Sequence, residues 1–215
     1  MKNHEDVLAI VEELKKLYPE GLCSLQYPKP YELLFSVRLA AQCTDERVNM
    51  VTPALFARFP TLESLAQADP AEVETYIHST GFFRAKARDI VAASRMLVEQ
   101  YGGRVPDTME ELLKLPGVGR KTANLILGDV YHTPGVVVAD THCIRITGRL
   151  GITDGSKDPL QVERQLRERI PPKESNNFCH RMVLFGRDTC TARSPKCEGC
   201  PLAKDCDTAK AARRG

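Results

Sequence analysis

The sequence lacks any long uninterrupted run of apolar residues. No stretch of its 215 residues approaches the roughly 18 to 20 apolar positions that a membrane-spanning helix needs, so no membrane association is expected. Glycine and proline are ordinary at 14 residues each and show no three-residue period, which excludes a collagen-like chain. The first residues place acids in a helical pattern, where a secretion signal would need a basic end before an apolar run. We therefore expect a soluble, cytoplasmic protein.

The sequence also lacks a large excess of positive or negative charge. The 30 Lys and Arg residues against 28 Asp and Glu residues leave a net charge of +2, which by itself does not indicate nucleic-acid binding. Any affinity for DNA must then come from a local basic surface. The eight cysteines are too few for a small disulfide-stabilised scaffold, and without a secretion signal they are expected to be reduced thiols, metal ligands or reactive groups.

Regular start and stop signals predict an all-helical protein. Asp69 followed by Pro70 is typical of a helix start, and Thr108 with Glu111 predicts a capping box. The VVVA run at 136–139 is the one strand-like stretch, and it is short enough to be a buried loop. Helices are expected near 7–17, 31–41, 45–59, 70–81, 84–101, 108–115, 120–131, 140–150, 158–170 and 175–186, with a short one after Thr61.

Four cysteines near the C-terminus have the spacing C-x6-C-x2-C-x5-C. They are Cys190, Cys197, Cys200 and Cys206. Their loop has few apolar side chains to bury, so a metal centre bound by four thiolates is the expected source of its order. Zinc and iron-sulfur clusters both accept four cysteines, and the presence of only one close pair favours a [4Fe-4S] cluster. The remaining four, Cys23, Cys43, Cys143 and Cys179, are expected to be buried core residues.

The segment LPGVG joins two predicted helices in a tight connection. Gly117 and Gly119 permit positive φ or a close backbone approach there. Free backbone N–H groups there and at the start of the next helix can hold a phosphate oxygen, as in a helix-hairpin-helix motif. The alternative is a plain turn between two helices that uses glycine for packing.

Two side chains could carry out chemistry. Lys121 follows the hairpin directly, and the positive end of the helix dipole together with Arg120 favours a neutral, nucleophilic amine. A phosphate contact is the alternative role for Lys121. Asp140 precedes another helix, where its carboxylate could stabilise a cationic transition state or simply cap the helix.

With these motifs in this order, the sequence resembles the endonuclease III family. Its members are bifunctional DNA glycosylases and abasic-site lyases of the helix-hairpin-helix superfamily. The resemblance extends over nearly the whole chain. It lies in LAAQCTDERVN at 39–49, GFFRAKARDI at 81–90, LPGVGRKTAN at 115–124, VADTHCIR at 138–145 and the cysteine loop.

The resemblance implies two helical domains with a cleft between them. A six-helix domain would span 22–133 and contain the helix-hairpin-helix motif at about 108–131. The second domain would combine 1–21 with 134–215 and carry the [4Fe-4S] loop at 190–206. The implied function is base excision repair by a monomeric, nucleoid-associated enzyme that removes oxidised pyrimidines from double-stranded DNA and cleaves abasic sites by β-elimination.

The resemblance also assigns roles to individual residues. Lys121 would attack C1′ of a flipped nucleotide and form a Schiff base, while Asp140 would stabilise the developing charge. Gln42 would fill the gap in the duplex, and Phe82 or Phe83 would wedge into the opposite strand. The implied DNA contacts are Arg84, Lys86, Gly117, Val118, Gly119, Arg120, Arg193 and Lys196.

Two other functions use many of the same residues. One is a mismatch-specific glycosylase of the same superfamily. The other is a non-enzymatic helix-hairpin-helix protein that binds DNA and senses redox state through its cluster. Only Lys121 together with Asp140 separates the enzyme from this second function.

Overall fold

The computed structural model describes residues 1–212, and this part of the chain consists of helices joined by turns and loops. It contains no strand, so the predicted all-α class is confirmed. The VVVA run is a buried loop. In chain order the helices are α1 His4–Leu17, α2 Pro30–Ala40, α3 Asp45–Arg58, α4 Leu62–Ala66, α5 Pro70–Ile77, α6 Phe83–Tyr101, α7 Met109–Leu112, α8 Arg120–Asp129, α9 Thr141–Leu150, α10 Pro159–Arg169, α11 Ser175–Asp188 and α12 Asp207–Ala212. A single 3₁₀ turn, His78–Thr80, lies between α5 and α6.

The chain forms two compact units. The first is continuous, Cys23–Tyr131, and holds α2 to α8. The second joins Met1–Leu22 to the chain from His132 onward, and holds α1 and α9 to α12.

Helix α2 is the central element of the Cys23–Tyr131 unit. It packs against α3, α6 and α8, and its leucine and phenylalanine side chains are almost fully removed from water. The buried residues of α2 include Leu33, Leu34, Phe35 and Leu39. Burial of side chains of this size stabilises a fold by roughly 1.5 to 3 kcal/mol each, so α2 provides a firm base for the loops at its end.

In the other unit, α11 packs against both α1 and α9. Gly186 of α11 permits the close approach to α9, because a methyl group there would collide with Nδ1 of His142. Arg181, also in α11, is 4% exposed and donates to the carbonyls of Tyr18 and Pro19 at 3.0 and 3.1 Å. These bonds attach the end of α1 to α11.

Most of the predicted helix starts are present. Asp69 and Asp140 accept hydrogen bonds from the first-turn N–H groups of their helices, and Pro70 occupies the first helical position. The capping box predicted at Thr108 is only half formed. Thr108 accepts from the N–H of Glu111, but the Glu111 carboxylate accepts from Tyr101 and Lys114, 2.5 Å from each.

Two further expectations need correction. The last helix expected from the sequence is 175–186, but α12 follows it; six residues are too few to show a helical period. Cys143 and Cys179 are buried as expected, whereas Cys23 and Cys43 are only half-buried. Within residues 1–212, no helix is both long and apolar enough to cross a bilayer.

Candidate functional site

The predicted hairpin is present between α7 and α8, and Gly117 is required there for two reasons. Its φ of +75° lies in the left-handed region that favours glycine. A methyl group on Gly117 would also lie 2.7 Å from Nε of Arg38 and 2.8 Å from Oδ2 of Asp89. These two side chains form an ion pair beneath the hairpin, with Nη2 of Arg38 2.7 Å from Oδ2 of Asp89. The hairpin backbone therefore rests directly on a salt bridge between α2 and α6.

The outer side of the hairpin is open. Gly119 is the N-cap of α8, and a methyl group on it would meet no atom within 4 Å. Val118 is half-buried and its N–H donates to the carbonyl of Leu115 at 3.1 Å. Arg120 and Lys121 form the first turn of α8 and are both exposed. Backbone N–H groups at a helix start and two adjacent cations make a surface suited to a phosphate.

Asp140 lies at the start of α9, after the buried Val136–Val138 segment. Its Oδ1 accepts from the N–H of Cys143 at 2.7 Å, and its own N–H donates to the carbonyl of Val138 at 2.8 Å. The first bond orients the carboxylate, and the second fixes the backbone that carries it. The side chain is half-buried, so it remains partly open to a ligand while it caps the helix.

One turn further along α9, Arg145 connects this helix to the cysteine loop. Its Nη2 lies 3.2 Å from Nδ1 of His142 and donates to the carbonyl of Cys190 at 3.0 Å. Arg149, which belongs to none of the predicted sites, follows four residues later on the same side. It donates to Sγ of Cys190 at 3.3 Å and to the carbonyl of Thr191 at 2.7 Å. The spacing i, i+4 within a helix was the available signal for Arg149.

The four predicted cluster ligands surround one cavity of about 110 Å³. Among the described residues, no three of these sulfurs lie within 4.8 Å of one another. Four sulfurs around a single zinc ion, at a zinc–sulfur distance of about 2.3 Å, would be about 3.8 Å apart. Four thiolates around one cavity at this wider spacing suit the larger core of a [4Fe-4S] cluster. Burial raises the pKa of the Cys200 thiol and the other three cysteines add to the rise, as expected for ligands that converge on a cationic centre.

Gln42 and Phe82 both stand out by backbone conformation and exposure. Their φ values are +55° and +48°, in the left-handed region that non-glycine residues seldom adopt. Phe82 is 67% exposed. Phe83 instead stacks on His78 with ring centroids 4.4 Å apart. Of the two candidate wedge residues, Phe82 is therefore the one that projects into solvent.

The cations assigned to DNA contact have different environments. Arg84, Arg193 and Lys196 are exposed, and the Arg84 side chain retains 79% of its accessible surface. Lys86 is 0% exposed, and its Nζ donates to the carbonyls of Leu39 and Thr80 at 2.8 Å each. A fully enclosed ammonium cannot reach a phosphate, so the prediction of a phosphate contact by Lys86 is wrong.

Comparisons with known proteins agree with this arrangement. Residues 35–172 match the family of HhH-GPD superfamily base excision DNA repair proteins, and residues 190–206 match the iron-sulfur binding domain of endonuclease III. Endonuclease III of Synechocystis sp. is 50% identical over 198 residues, which cover 92% of this chain and 90% of the relative.

Two solved structures are similar over the full length of both chains. One is described as a trapped endonuclease III–DNA covalent intermediate and superposes with a TM-score of 0.92 at 40% identity. The other is a non-covalent endonuclease III–DNA complex, with a TM-score of 0.93 at 40% identity.

Proposed function

Because the chain belongs to the endonuclease III family of HhH-GPD base excision repair proteins, we propose that Lys121 and Asp140 carry the reaction and that its substrate is double-stranded DNA with an oxidised pyrimidine or an abasic site. The chain is a DNA glycosylase and abasic-site lyase that binds a [4Fe-4S] cluster.

The observation that carries the proposal is the position of Lys121. Its amine is exposed in the first turn of α8, immediately after a hairpin whose outer side is open. A phosphate held by the hairpin backbone would bring the adjoining sugar close to this turn. The amine is thus placed by the same element that holds the DNA backbone.

In the proposed reaction, Nζ of Lys121 forms a bond to C1′ of the flipped nucleotide while the glycosidic bond breaks and the base leaves with a proton. The C1′–O4′ bond then breaks, the proton left on the amine moves to O4′, and a C1′=Nζ Schiff base remains. Removal of a C2′ proton then breaks the C3′–O bond, and the 3′-phosphate departs as the leaving group. Hydrolysis of the Schiff base releases Lys121.

Asp140 stabilises the positive charge that develops on the sugar during this reaction. The sugar becomes cationic as the base leaves, and a carboxylate stabilises a developing positive charge. The hydrogen bond from Cys143 occupies Oδ1 and holds the group in one orientation. An oriented carboxylate needs less reorganisation in the transition state than a mobile one.

The remaining residues hold and bend the duplex. Gln42 fills the space left by the flipped nucleotide and Phe82 wedges against the opposite strand. Backbone and side-chain contacts to phosphates come from Arg84, Gly117, Val118, Gly119, Arg120, Arg193 and Lys196. The cluster, when bound, supplies the iron–sulfur bonds that close the loop containing Arg193 and Lys196.

The two compact units correspond, in this proposal, to the helix-hairpin-helix domain and the cluster domain. The enzyme acts as a monomer, because one chain supplies both Lys121 and Asp140. Its place of action is the chromosomal DNA of the cell.

Borohydride trapping tests the proposed nucleophile. Reduction of the Schiff base on a duplex with one thymine glycol should give a covalent complex, and Lys121→Ala should abolish it while binding persists. Lys157→Ala, a change of another exposed lysine, should trap like the wild type. Equal trapping by Lys121→Ala would assign the nucleophile to another amine. A duplex with a G·T mispair tests the lesion assignment, because cleavage there at the thymine glycol rate would contradict it.

A further inference from the structure

Lys86 is a buried cation for which the proposed reaction has no use. It is 0% exposed and lies one turn into α6. An ammonium taken out of water is costly to the fold unless its donors are satisfied, and here Nζ donates to two carbonyls at 2.8 Å. Burial, reinforced by the charge of Arg38, lowers the pKa of Lys86, and the thiol of Cys43 opposes this shift. Full enclosure together with two satisfied hydrogen bonds gives Lys86 a structural task.

The two carbonyls belong to the segments that carry Gln42 and Phe82. Leu39 is in the last turn of α2, three residues before Gln42. Thr80 ends the 3₁₀ turn, two residues before Phe82. The backbone N–H of Lys86 also donates to the carbonyl of Phe82 at 3.1 Å. One residue therefore joins the loop that contains Gln42 to the loop that contains Phe82.

Both loops need such support, because Gln42 and Phe82 adopt left-handed backbone conformations. A conformation of this kind persists only where surrounding bonds enforce it. Leu39 also lies in the last turn of α2, where the helix dipole favours a cation. An ammonium satisfies both carbonyls at once, which a neutral apolar side chain of the same length cannot do.

We propose that Lys86 is a positioning residue that fixes the spacing between Gln42 and Phe82, so that both side chains enter the duplex together. The inference rests on the proposed roles of Gln42 and Phe82. Lys86 touches neither the DNA nor the reacting atoms and acts only through these two loops.

The test compares Lys86→Met with Arg95→Met in the holoenzyme. Arg95 is another cation of α6 that donates to a carbonyl of a neighbouring helix, Ala66 at 2.7 Å, so it controls for loss of such a bond. A 2-aminopurine base opposite thymine glycol reports unstacking by its fluorescence. Lys86→Met should slow the fluorescence rise and single-turnover base release by about ten- to a hundredfold, the size of effect that a misplacement of about 1 Å produces. Arg95→Met should leave both within about twofold.

A coupling measurement separates positioning from general damage to the fold. If Lys86 acts through the wedge residues, Lys86→Met should add less than about threefold to the defect of a Gln42→Ala, Phe82→Ala variant. It should also leave cleavage of a single-stranded abasic site unchanged, because no opposite strand is present. Additive defects, or an equal loss on single-stranded DNA, would overturn the inference.

The outcomes distinguish this inference from the proposed function. Normal fluorescence in Gln42→Ala and Phe82→Ala would refute the wedge assignment itself. A defect in those variants without one in Lys86→Met would refute only the role of Lys86. Should Lys86→Met not fold, Lys86→Gln, which keeps a donor, takes its place. If neither variant folds with its cluster, Lys86 is a folding residue and the positioning role is rejected.

Discussion

Gly117→Ala should destabilise the protein more than a glycine-to-alanine change at an unstrained, open position does. Gly117→Ala keeps the left-handed φ of +75°, which costs a non-glycine residue roughly 1 to 2 kcal/mol. The new carbon would also lie 2.7 Å from Nε of Arg38, so the guanidinium must move away from Asp89. A charge-assisted hydrogen bond contributes roughly 1.5 to 3 kcal/mol, and part of it would be lost.

Together these costs give a free energy of unfolding lower by about 2 to 4 kcal/mol. For a chain of this size, that corresponds to a fall in melting temperature of about 5 to 15 °C. Thermal unfolding followed by circular dichroism measures it directly. Gly119→Ala is the matched control, because its φ of −102° is ordinary and its methyl group meets no atom within 4 Å. It should cost under about 1 kcal/mol, although both variants should bind DNA less tightly.

Two further variants separate backbone strain from collision. Asparagine tolerates the left-handed region, so Gly117→Asn should recover stability only if strain dominates. Arg38→Ala removes the side chain that the methyl group would strike. If this steric clash dominates, the losses in free energy of unfolding caused by Arg38→Ala and Gly117→Ala should be less than additive in the double variant. Equal melting temperatures for Gly117→Ala and Gly119→Ala would refute the argument for a hairpin resting on the Arg38–Asp89 pair.

Two more predictions concern Asp140 and the cysteine loop. Asp140→Asn should lower turnover by about 10² to 10³, because a neutral amide cannot stabilise the cationic sugar. Asparagine caps helices as well as aspartate does, so stability should hold, and Asp158→Asn, at the cap of α10, should retain both stability and turnover in the same assays. Cys200→Ser should lose iron and the absorbance near 400 nm. Cys23→Ser should retain both, and a colourless wild-type protein with one zinc ion would contradict the cluster.

Much of this fold follows from local rules that the sequence displays. The caps at Asp69 and Asp140 need only a short side chain and the next turn of backbone. The largely apolar composition of α2 indicates a central helix, as observed. These features depend on residues within one or two turns of each other, and short-range patterns are what a sequence makes visible.

The error at Lys86 has a different origin. Lysine is seldom fully buried, so its charge alone suggested a surface position. Its spacing, however, places it on the same stripe as Ile90, Ala93 and Leu97, all of which are buried. The helical periodicity of α6 therefore indicates a buried position for Lys86. The carbonyls that accept from Lys86 are 47 and 6 residues away, and the first of these distances lies beyond any local pattern.

The choice between Phe82 and Phe83 also depends on tertiary structure. Phe82 and Phe83 are identical residues at neighbouring positions, so the sequence does not distinguish them. The left-handed backbone at Phe82 turns its ring outward, whereas Phe83 packs on His78. The same holds for Arg149, whose bond to Sγ of Cys190 joins residues 41 positions apart.

Helix α6 links the parts of the Cys23–Tyr131 unit that are proposed to meet DNA. Phe82 precedes its first turn, Lys86 joins the loops of Phe82 and Gln42, and Asp89 pairs with Arg38 beneath the hairpin. These contacts lie within two turns of one helix, so a shift of that helix would displace Phe82, Gln42 and the hairpin backbone together. Rigid coupling of this kind favours a duplex that is held and opened in one step, because each element is correctly placed only when the others are.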